Sequence, residues 1–515
     1  MSRKRFPMSP VVIVAAAVGA LLLPSLAHAD AHPVASPAFA GVARLPGPIA
    51  PPSTPSANMK LLTVTPASGP VGTKFTIVGS GLPASKPVDI VWATSTVRYV
   101  LNPLPENVEY HGRQFDKVNV VLVHGATDGR GKLELDVTAP EDFGDVHDVY
   151  AVVGGQQVAK AGFQITRQFK VSPLSGPIGT PITIKVTGLG ALQYTSTAAV
   201  LYDNSYAGMI SATATRGSAT VHVRASGPVG VHPIEISPAS AGVPYLDIEQ
   251  SAVAFVGKFR TAFRVTRDNG PPKSRVELPP VVQPTEASYT TFAQSTAAGV
   301  TVNLSSHSGI ILSQLKVAAN GLQPNAPVAL QWLTAVGTRA TASGWTIQAM
   351  PLGQATTGAD GSVNTAVRVP DALGGWHTLQ LLQAGAVKAQ IPYYVLRSFV
   401  SISPKVVKAG QPFSIHLKGI GWTELDNTTA VTYDNKYIGY ACGFYSQGDI
   451  NMNLVATGGP GTHLIDLYPT VYRGKAPASD TWLEHMPQLS FMQDAPGLAL
   501  GYRLPAIHLA IRVVR

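Results

Sequence analysis

The sequence predicts an all-β protein made of tandem β-sandwich domains, four in number and arranged as a duplicated pair. Three observations carry that prediction. Gly (49) and Pro (42) are plentiful, while charged residues make up 13% and hydrophobic residues 45% of the 515, a mixture that suits short strands joined by many turns. Apolar residues alternate with period two, as in VDIVW (88–92), where Val88, Ile90 and Trp92 share one face of an expected half-buried strand. Finally, long-range internal repeats are legible by eye.

The repeats define the order A, B, A′, B′. GLPASKPVDIVW (81–92) answers GLQPNAPVALQW (321–332), which sets Trp92 against Trp332 at an offset of 240. VLYDNSYAG (200–208) answers VTYDNKYIG (431–439) at an offset of 231, and the same offset aligns Gly188-Leu189-Gly190 with Gly419-Ile420-Gly421. The expected boundaries are 60–167 for A, 168–268 for B, 298–397 for A′ and 398–515 for B′. A Pro-rich linker (269–297) should act as a semi-rigid spacer between the halves, and a Pro/Ala-rich leader (30–59) is expected to be disordered.

Ahead of the leader, Arg3, Lys4 and Arg5 form a basic start, VVIVAAAVGALLLPSLA (11–27) an apolar run, and Ala27-His28-Ala29 a small-residue cleavage site. That order reads as a signal peptide spanning 1–29. No later stretch approaches the roughly 20 apolar residues that span a bilayer, so after cleavage no integral membrane segment is expected and the protein should be secreted or held in the cell envelope. Export would permit disulfides, yet Cys442 is the only cysteine, so each domain must rest on its own apolar core. Cys442 itself reads as a small buried hydrophobe. Removing the signal lowers the net charge from +9 to +6, a mild excess without the clustered Lys/Arg that nucleic acid would favour.

Each unit contains strand-and-turn punctuation. KLLTVTPASGPVGTKFTIVGSGL (60–82) reads as a strand, a turn from Pro66 to Gly72, and a second strand stopped by Gly79 and Gly81. Late in each unit a turn precedes alternating residues: DGRGKLELDV (128–137), GSATVHVRA (217–225), DGSVNTAVRV (360–369) and GDINMNLVA (448–456). The openings TPASGPVGTKFTIVGSGL and SPLSGPIGTPITIKVTGLG resemble those of IPT/TIG immunoglobulin-like domains; B′ keeps the pattern partly as SPKVVKAGQPFSIHLKGIG, and A′ has lost the Pro and most of the turn. The resemblance implies tandem immunoglobulin-like sandwiches in an exported protein. It implies no particular ligand, because fold does not fix function.

The chain lacks the G-x-S-x-G, H-E-x-x-H and phosphate-loop motifs and any cysteine-based metal knuckle. No catalytic residue, cofactor or metal site is therefore expected. His147, His232, His377 and His463 recur after a Gly at the start of a late strand, one per domain, and read as half-exposed edge or turn histidines. Asp203-Asn204 and Asp434-Asn435 read as hairpin turns, with a Tyr-Asp-Asn-x-Tyr aromatic platform for a glycan as the sharper alternative. Asp128, Glu134 and Asp136 match calcium-loop spacing only loosely.

Unequal spacing exposes two insertions. Trp92 to Gly129 spans 37 positions against 29 from Trp332 to Gly361, and Pro469 to Arg515 spans 46 against 29 from Pro238 to Arg267. Because function concentrates on loops, Tyr110, His111 and Arg113 in the first insertion and Trp482, Glu484 and His485 in the second are the candidate ligand-binding residues. The expected function is an exported non-catalytic binding or structural protein that engages a glycan, a cell-wall polymer or a surface protein. Two alternatives stand beside it: an extracellular polysaccharide-active enzyme with carboxylates from two domains, and an architectural spacer or assembly subunit. Oligomeric state is not legible.

Overall fold

The computed structural model describes residues 44–53, 59–103, 108–192, 194–240, 242–250, 256–281, 294–338, 344–443, 447–472 and 485–515. The signal peptide, the start of the leader, Trp482 and Glu484 lie outside them. Among the described residues there is no α-helix, only single 3-10 turns at Ile248–Gln250 and Leu498–Leu500, and eight sheets form four sandwiches.

Each sandwich pairs a three-stranded sheet with a larger one. In A the small sheet is Thr63–Thr65, Lys74–Gly79 and Leu133–Thr138, and the large sheet is built on Pro87–Pro103, Val108–Ala126, Asp145–Val153 and Gln156–Ile165. B repeats this with Gln168–Ser172, Pro181–Thr187 and Ala219–Arg224 facing a sheet that runs Phe259–Val265, Gly230–Ser240, Thr197–Tyr202, Ser205–Ser211. In A′ and B′ the small sheets are centred on Gln314–Asn320 and Pro412–Lys418, and the large sheets end on the edge strands Trp345–Thr356 and Lys436–Cys442. The period-two pattern explains the pairing. In Lys74–Gly79, Phe75 and Ile77 turn inward against Trp92 and Phe163, while Lys74 faces solvent.

Three of the recurrent histidines, His147, His232 and His377, are buried rather than half-exposed, and His463 is partly buried. Each stacks on the aromatic of its own core: His147 on Trp92 (4.3 Å), His377 on Trp332 (5.0 Å), His232 on Tyr202 and His463 on Tyr433 (both 5.5 Å). Each Nε2 lies 2.8–3.0 Å from the carbonyl four residues earlier, that of Phe143, Pro228, Leu373 or Gly459. A polar ring inside a sandwich is tolerated because both its nitrogens find partners. In B and B′ the second partner is the carboxylate of Asp203 or Asp434, at 2.7 and 2.6 Å. Those aspartates and the following Asn204 and Asn435 have φ between 48° and 60°, the left-handed conformation of a two-residue hairpin. The repeated Tyr-Asp-Asn motif is thus a structural corner: Tyr202 and Tyr433 point inward, and their hydroxyls donate to the carbonyls of Ser226 and Thr457.

The two halves repeat the same internal junction. Gly144 N donates to Leu189 O and Gly374 N to Ile420 O, both at 2.9 Å. A Cβ on Gly144 or Gly374 would lie about 2.0 or 1.8 Å from the carbonyl oxygen of Gly188 or Gly419, so only glycine permits this approach. Described parts of the leader and linker lie along sheet edges, where disorder and a free spacer were expected. Pro48–Ile49 pairs with Val120 and Asn119 on the edge of A, Arg275–Glu277 with the last strand of B′, and Ser295–Thr296 with A′. Unpaired edge-strand groups offer these short segments hydrogen bonds, and Pro is tolerated at an edge.

B and B′ are latched by a buried ionic cluster. Arg224 of B reaches Asp466 of B′ (2.8 Å) and donates to the carbonyls of Ile465 and Leu509, while His508 sits 2.6 Å from Asp466 and 3.3 Å from Glu277. Burial pushes the Asp466 carboxyl up, but Arg224 and His508 outweigh it and hold it below its ordinary value. Its hydrogen bond to His508 likewise lowers Glu277. For His508, burial pulls down and the neighbouring Asp466 pulls harder upward, so the net value is raised.

The lowered carboxylates contribute stability that is lost as pH falls below about 4, and the raised histidine contributes stability that is full below about 6.5 and lost as pH rises through its folded value. Denaturant unfolding should therefore show the latch strongest between about pH 4.5 and 6.5. Arg224→Ala should cost roughly 3–5 kcal/mol by the same measurement, because Asp466 is left buried without its cation.

Candidate functional site

The first insertion is not a displayed loop. It prolongs the hairpin of Pro87–Pro103 and Val108–Ala126 into an arm that crosses from A to B′. Tyr110 is 2% exposed, and its backbone N–H donates to the buried Glu424 carboxylate of B′ at 3.0 Å. Tyr99, beside it on the arm (ring centroids 6.1 Å), donates its hydroxyl to Asp494 of B′ at 3.1 Å. Arg113 reaches into B, donating to Ser196 Oγ (3.2 Å) and Thr213 Oγ1 (3.4 Å). His111 alone stays open to solvent, 3.4 Å from Glu109. Tyr110 is therefore a packing residue rather than a ligand contact. The signal was present: Tyr99 and Leu101 alternate on one face of the arm as core residues do.

The second insertion folds back onto B. Met209 N donates to Pro487 O and Leu489 N to Met209 O, both at 2.9 Å. Asp494, fully enclosed, accepts from Ser211 Oγ (2.5 Å), Ala214 N (2.7 Å) and Thr213 N (2.8 Å) as well as from Tyr99. Burial raises its carboxyl above the ordinary range against the pull of these four donors. His485 stacks on Tyr440 (4.3 Å) and leans on Tyr472 (5.0 Å) at the rim of B′, and burial lowers its value.

The inter-domain carboxylates Glu424 and Asp494 are thus clasps: Glu424 accepts from Tyr110 N, and Asp494 accepts from four protein donors. Among the described residues no group of three or more His, Cys, Asp or Glu could hold a metal ion. Asp128 accepts the N–H groups of Arg130 and Lys132, Glu134 pairs with Lys132, and Asp136 accepts from Thr76. Cys442 is half-buried, 3.0 Å from Thr428 Oγ1.

An open cleft of about 450 Å³ lies at the junction of A with B. Ser95, Lys117, Asn119, Asp145, Asp148 and Tyr150 line it, and Val146 (67% exposed) and Leu192 (65%) form its apolar rim. Thr195 Oγ1 donates to Asp145 (2.6 Å) and Tyr150 to Asp148 (2.9 Å), which fixes both carboxylates. Register identifies the same positions in the second half. Ser95 pairs with Lys117 and Ala93 with Asn119, as Ala335 pairs with Ile347 and Leu333 with Ala349. Val146 and Ala191 correspond to Trp376 and Trp422. In A′–B′ those residues are sealed: Ala335, Ile347, Trp376 and Trp422 pack with the arm tyrosines, and Trp376 Nε1 donates to Leu500 O at 2.9 Å. One surface, present twice, is an apolar contact in the second half and an open polar cleft in the first.

No family model matches the chain, that of IPT/TIG domains included, and no curated protein sequence matches it. Among solved structures it is similar to a mutant alpha-2-macroglobulin from Salmonella, at 11% identity and a TM-score of 0.16, over 87% of this chain and 30% of that one. An elastase-activated alpha-2-macroglobulin from Escherichia coli is similar at 9% identity and 0.14, over 79% and 42%. A Corynebacterium diphtheriae protein described as membrane anchored is similar at 10% identity and 0.16, over 65% and 90%. The chain spans less than half the length of either macroglobulin. At such identities and scores, the all-β assignment stands on the sheets described above.

Asp494→Ala should lower stability by about 3 kcal/mol or more, since several buried donors lose their acceptor at once. Denaturant unfolding measures that loss, and limited proteolysis should show earlier cleavage in the 99–110 arm.

Proposed function

We propose that this is an exported, non-catalytic binding protein that presents the A–B cleft to a polar polymer of the cell surface, a glycan in the first instance. One observation carries the reading. The surface at the domain junction is filled by tryptophan in A′–B′, whereas in A–B it is an open cleft lined by Lys117, Asn119, Asp148 and Tyr150. A floor that combines a ring with several fixed hydrogen-bonding groups suits a hydroxyl-rich chain, which needs both stacking and oriented donors and acceptors.

Export rests on the signal-like first 29 residues. Among the described residues no helix is long and apolar enough to cross a membrane. The arm and the second insertion join the sandwiches into one body, which favours a binding platform over an extended spacer. Absence of catalysis rests on the missing motifs and on the clasp roles of Glu424 and Asp494.

The mature protein should be retained on insoluble cell-wall polysaccharide. The double variant Lys117→Ala, Tyr150→Ala should lose about tenfold in affinity, in line with the ~1.4 kcal/mol that a tenfold change represents. Equal retention of wild type and variant would remove the cleft from the reading. Release of soluble sugar by the wild type would replace it with the enzymatic one, in which Asp145 and Asp148 are the first carboxylates to substitute.

A further inference from the structure

We infer that the outer edge of strand Lys436–Cys442 in B′ is a docking seat for an extended peptide of a partner protein, one with a Pro-x-Leu pattern. The seat is defined by its duplicate. In B, the equivalent strand Ser205–Ser211 is also the last of its sheet, and the segment Pro487–Leu489 lies along it. Met209 N donates to Pro487 O, Leu489 N donates to Met209 O, and a parallel bridge joins Met209 to Gln488. Gly208 makes room for this segment: with φ +155, its absent Cβ would lie 2.7 Å from Pro487 O and 2.9 Å from Leu489 Cγ.

B′ repeats the seat at an offset of 231. The strand has the same register and the same bulge: Met209 opposes Ala199 as Tyr440 opposes Ala430, with the shift at Val200/Leu201 matched at Val431/Thr432. This register turns the Tyr440 N–H and C=O outward, as Met209's are turned. Gly439 keeps φ +144, a backbone that favours glycine, yet among the described residues nothing lies within 4 Å of its Cβ position. Among the described residues no strand pairs with this edge.

The edge is also apolar, with Ile438 50% and Tyr440 46% exposed; His485 covers one face of the Tyr440 ring and accepts at its carbonyl from the Tyr437 hydroxyl, leaving the backbone of Tyr440 outward. Free edges are normally protected by charge, Pro or a covering segment; here Lys436 is the strand's only charged residue, at its first position. A glycine held in a special conformation with no described neighbour over it, beside exposed Ile and Tyr on an outward-facing edge, is the geometry that admits a peptide by strand addition. The occupant of the duplicate seat defines the fit: a carbonyl at the Pro position accepts from Tyr440 N, an N–H at the Leu position donates to Tyr440 O, and the Leu side chain covers Gly439. This seat lies on B′, apart from the A–B cleft, and does not depend on what that cleft binds.

The test uses the full mature protein and a fluorescent peptide of the sequence HMPQLSF, that of residues 485–491, with anisotropy as the readout. Saturable binding is expected. Tyr440→Pro, which deletes the outward N–H at a position where an edge strand tolerates Pro, should weaken it at least tenfold, as should an HMPQDSF peptide. Thermal unfolding reports whether that variant folds; if it does not, Ile438→Glu at the exposed edge serves instead, with the same tenfold expectation. No saturable binding, or binding unchanged in the folded variants, overturns the proposal. A concentration-dependent dimer of the wild type that Tyr440→Pro abolishes also overturns it, by giving the edge to a second copy of this chain.

Discussion

The architecture depends on one apolar seam where the four sandwiches meet. Tyr99, Leu101, Val108 and Tyr110 of the arm of A pack with Met209 of B, Trp345 and Tyr394 of A′, and Trp422, Leu425, Leu500 and Tyr502 of B′. Large aromatic side chains contribute the most buried area per residue and keep their edge-to-face preferences, as in the T-shaped contacts of Tyr394 with Trp376 and Tyr502. Each sandwich has a core of its own, so the seam acts between folded units, and it turns a string of domains into a body. The polar groups drawn into it are those of the clasps. Glu424 and Asp494 satisfy backbone N–H groups of Tyr110 on the arm and of Thr213 and Ala214 just after strand Ser205–Ser211, in a dry environment where an unpaired donor would be costly.

The seam breaks the symmetry of the duplication. A–B and A′–B′ repeat the same glycine-tight junction and the same histidine bolts, but only one copy of each exposed surface can face the seam. On the domain-junction face, A′–B′ took tryptophan and A–B kept polar residues around a cleft. On the outer edge of the second sandwich of each pair, B received the Pro487–Leu489 segment and B′ did not. Both proposed binding surfaces are thus the unconsumed partners of surfaces used internally. A β-sandwich has few other ways to diverge, since its inward positions are committed to packing and its free surfaces are loops, edges and junctions.

The insertions show how sequence logic can find the right segment while the structure gives one of its residues, the buried Tyr110, a packing role. A length difference between repeats marks where one copy does something extra, and both insertions proved central. Loop statistics favour exposure and ligand contact, but the alternating Tyr99 and Leu101 on the arm followed the inward rule of a strand. What the arm packs against lies far away in sequence, as with Arg113 and Ser196, 83 positions apart, or Tyr99 and Asp494, 395 apart, and no local pattern carries that information. The cleft was less legible still: Lys117 and Asn119 have no motif, and their interest arises only when register makes them the counterparts of Ile347 and Ala349.

The sequence by itself determined the all-β class, the order of the repeats, the hairpin corners at Asp203-Asn204 and Asp434-Asn435, and the lack of disulfides. These follow from short-range rules: period-two burial, the left-handed tolerance of Asp, Asn and Gly, and the count of one cysteine. Tertiary structure alone decided that the histidines pack on the core aromatics, that leader and linker supply edge strands, that the insertions clasp the domains, and which copy of each duplicated surface stays open. Those outcomes depend on which distant surfaces meet, because burial is a property of a residue's neighbours in space and two identical strands become different once only one of them is covered.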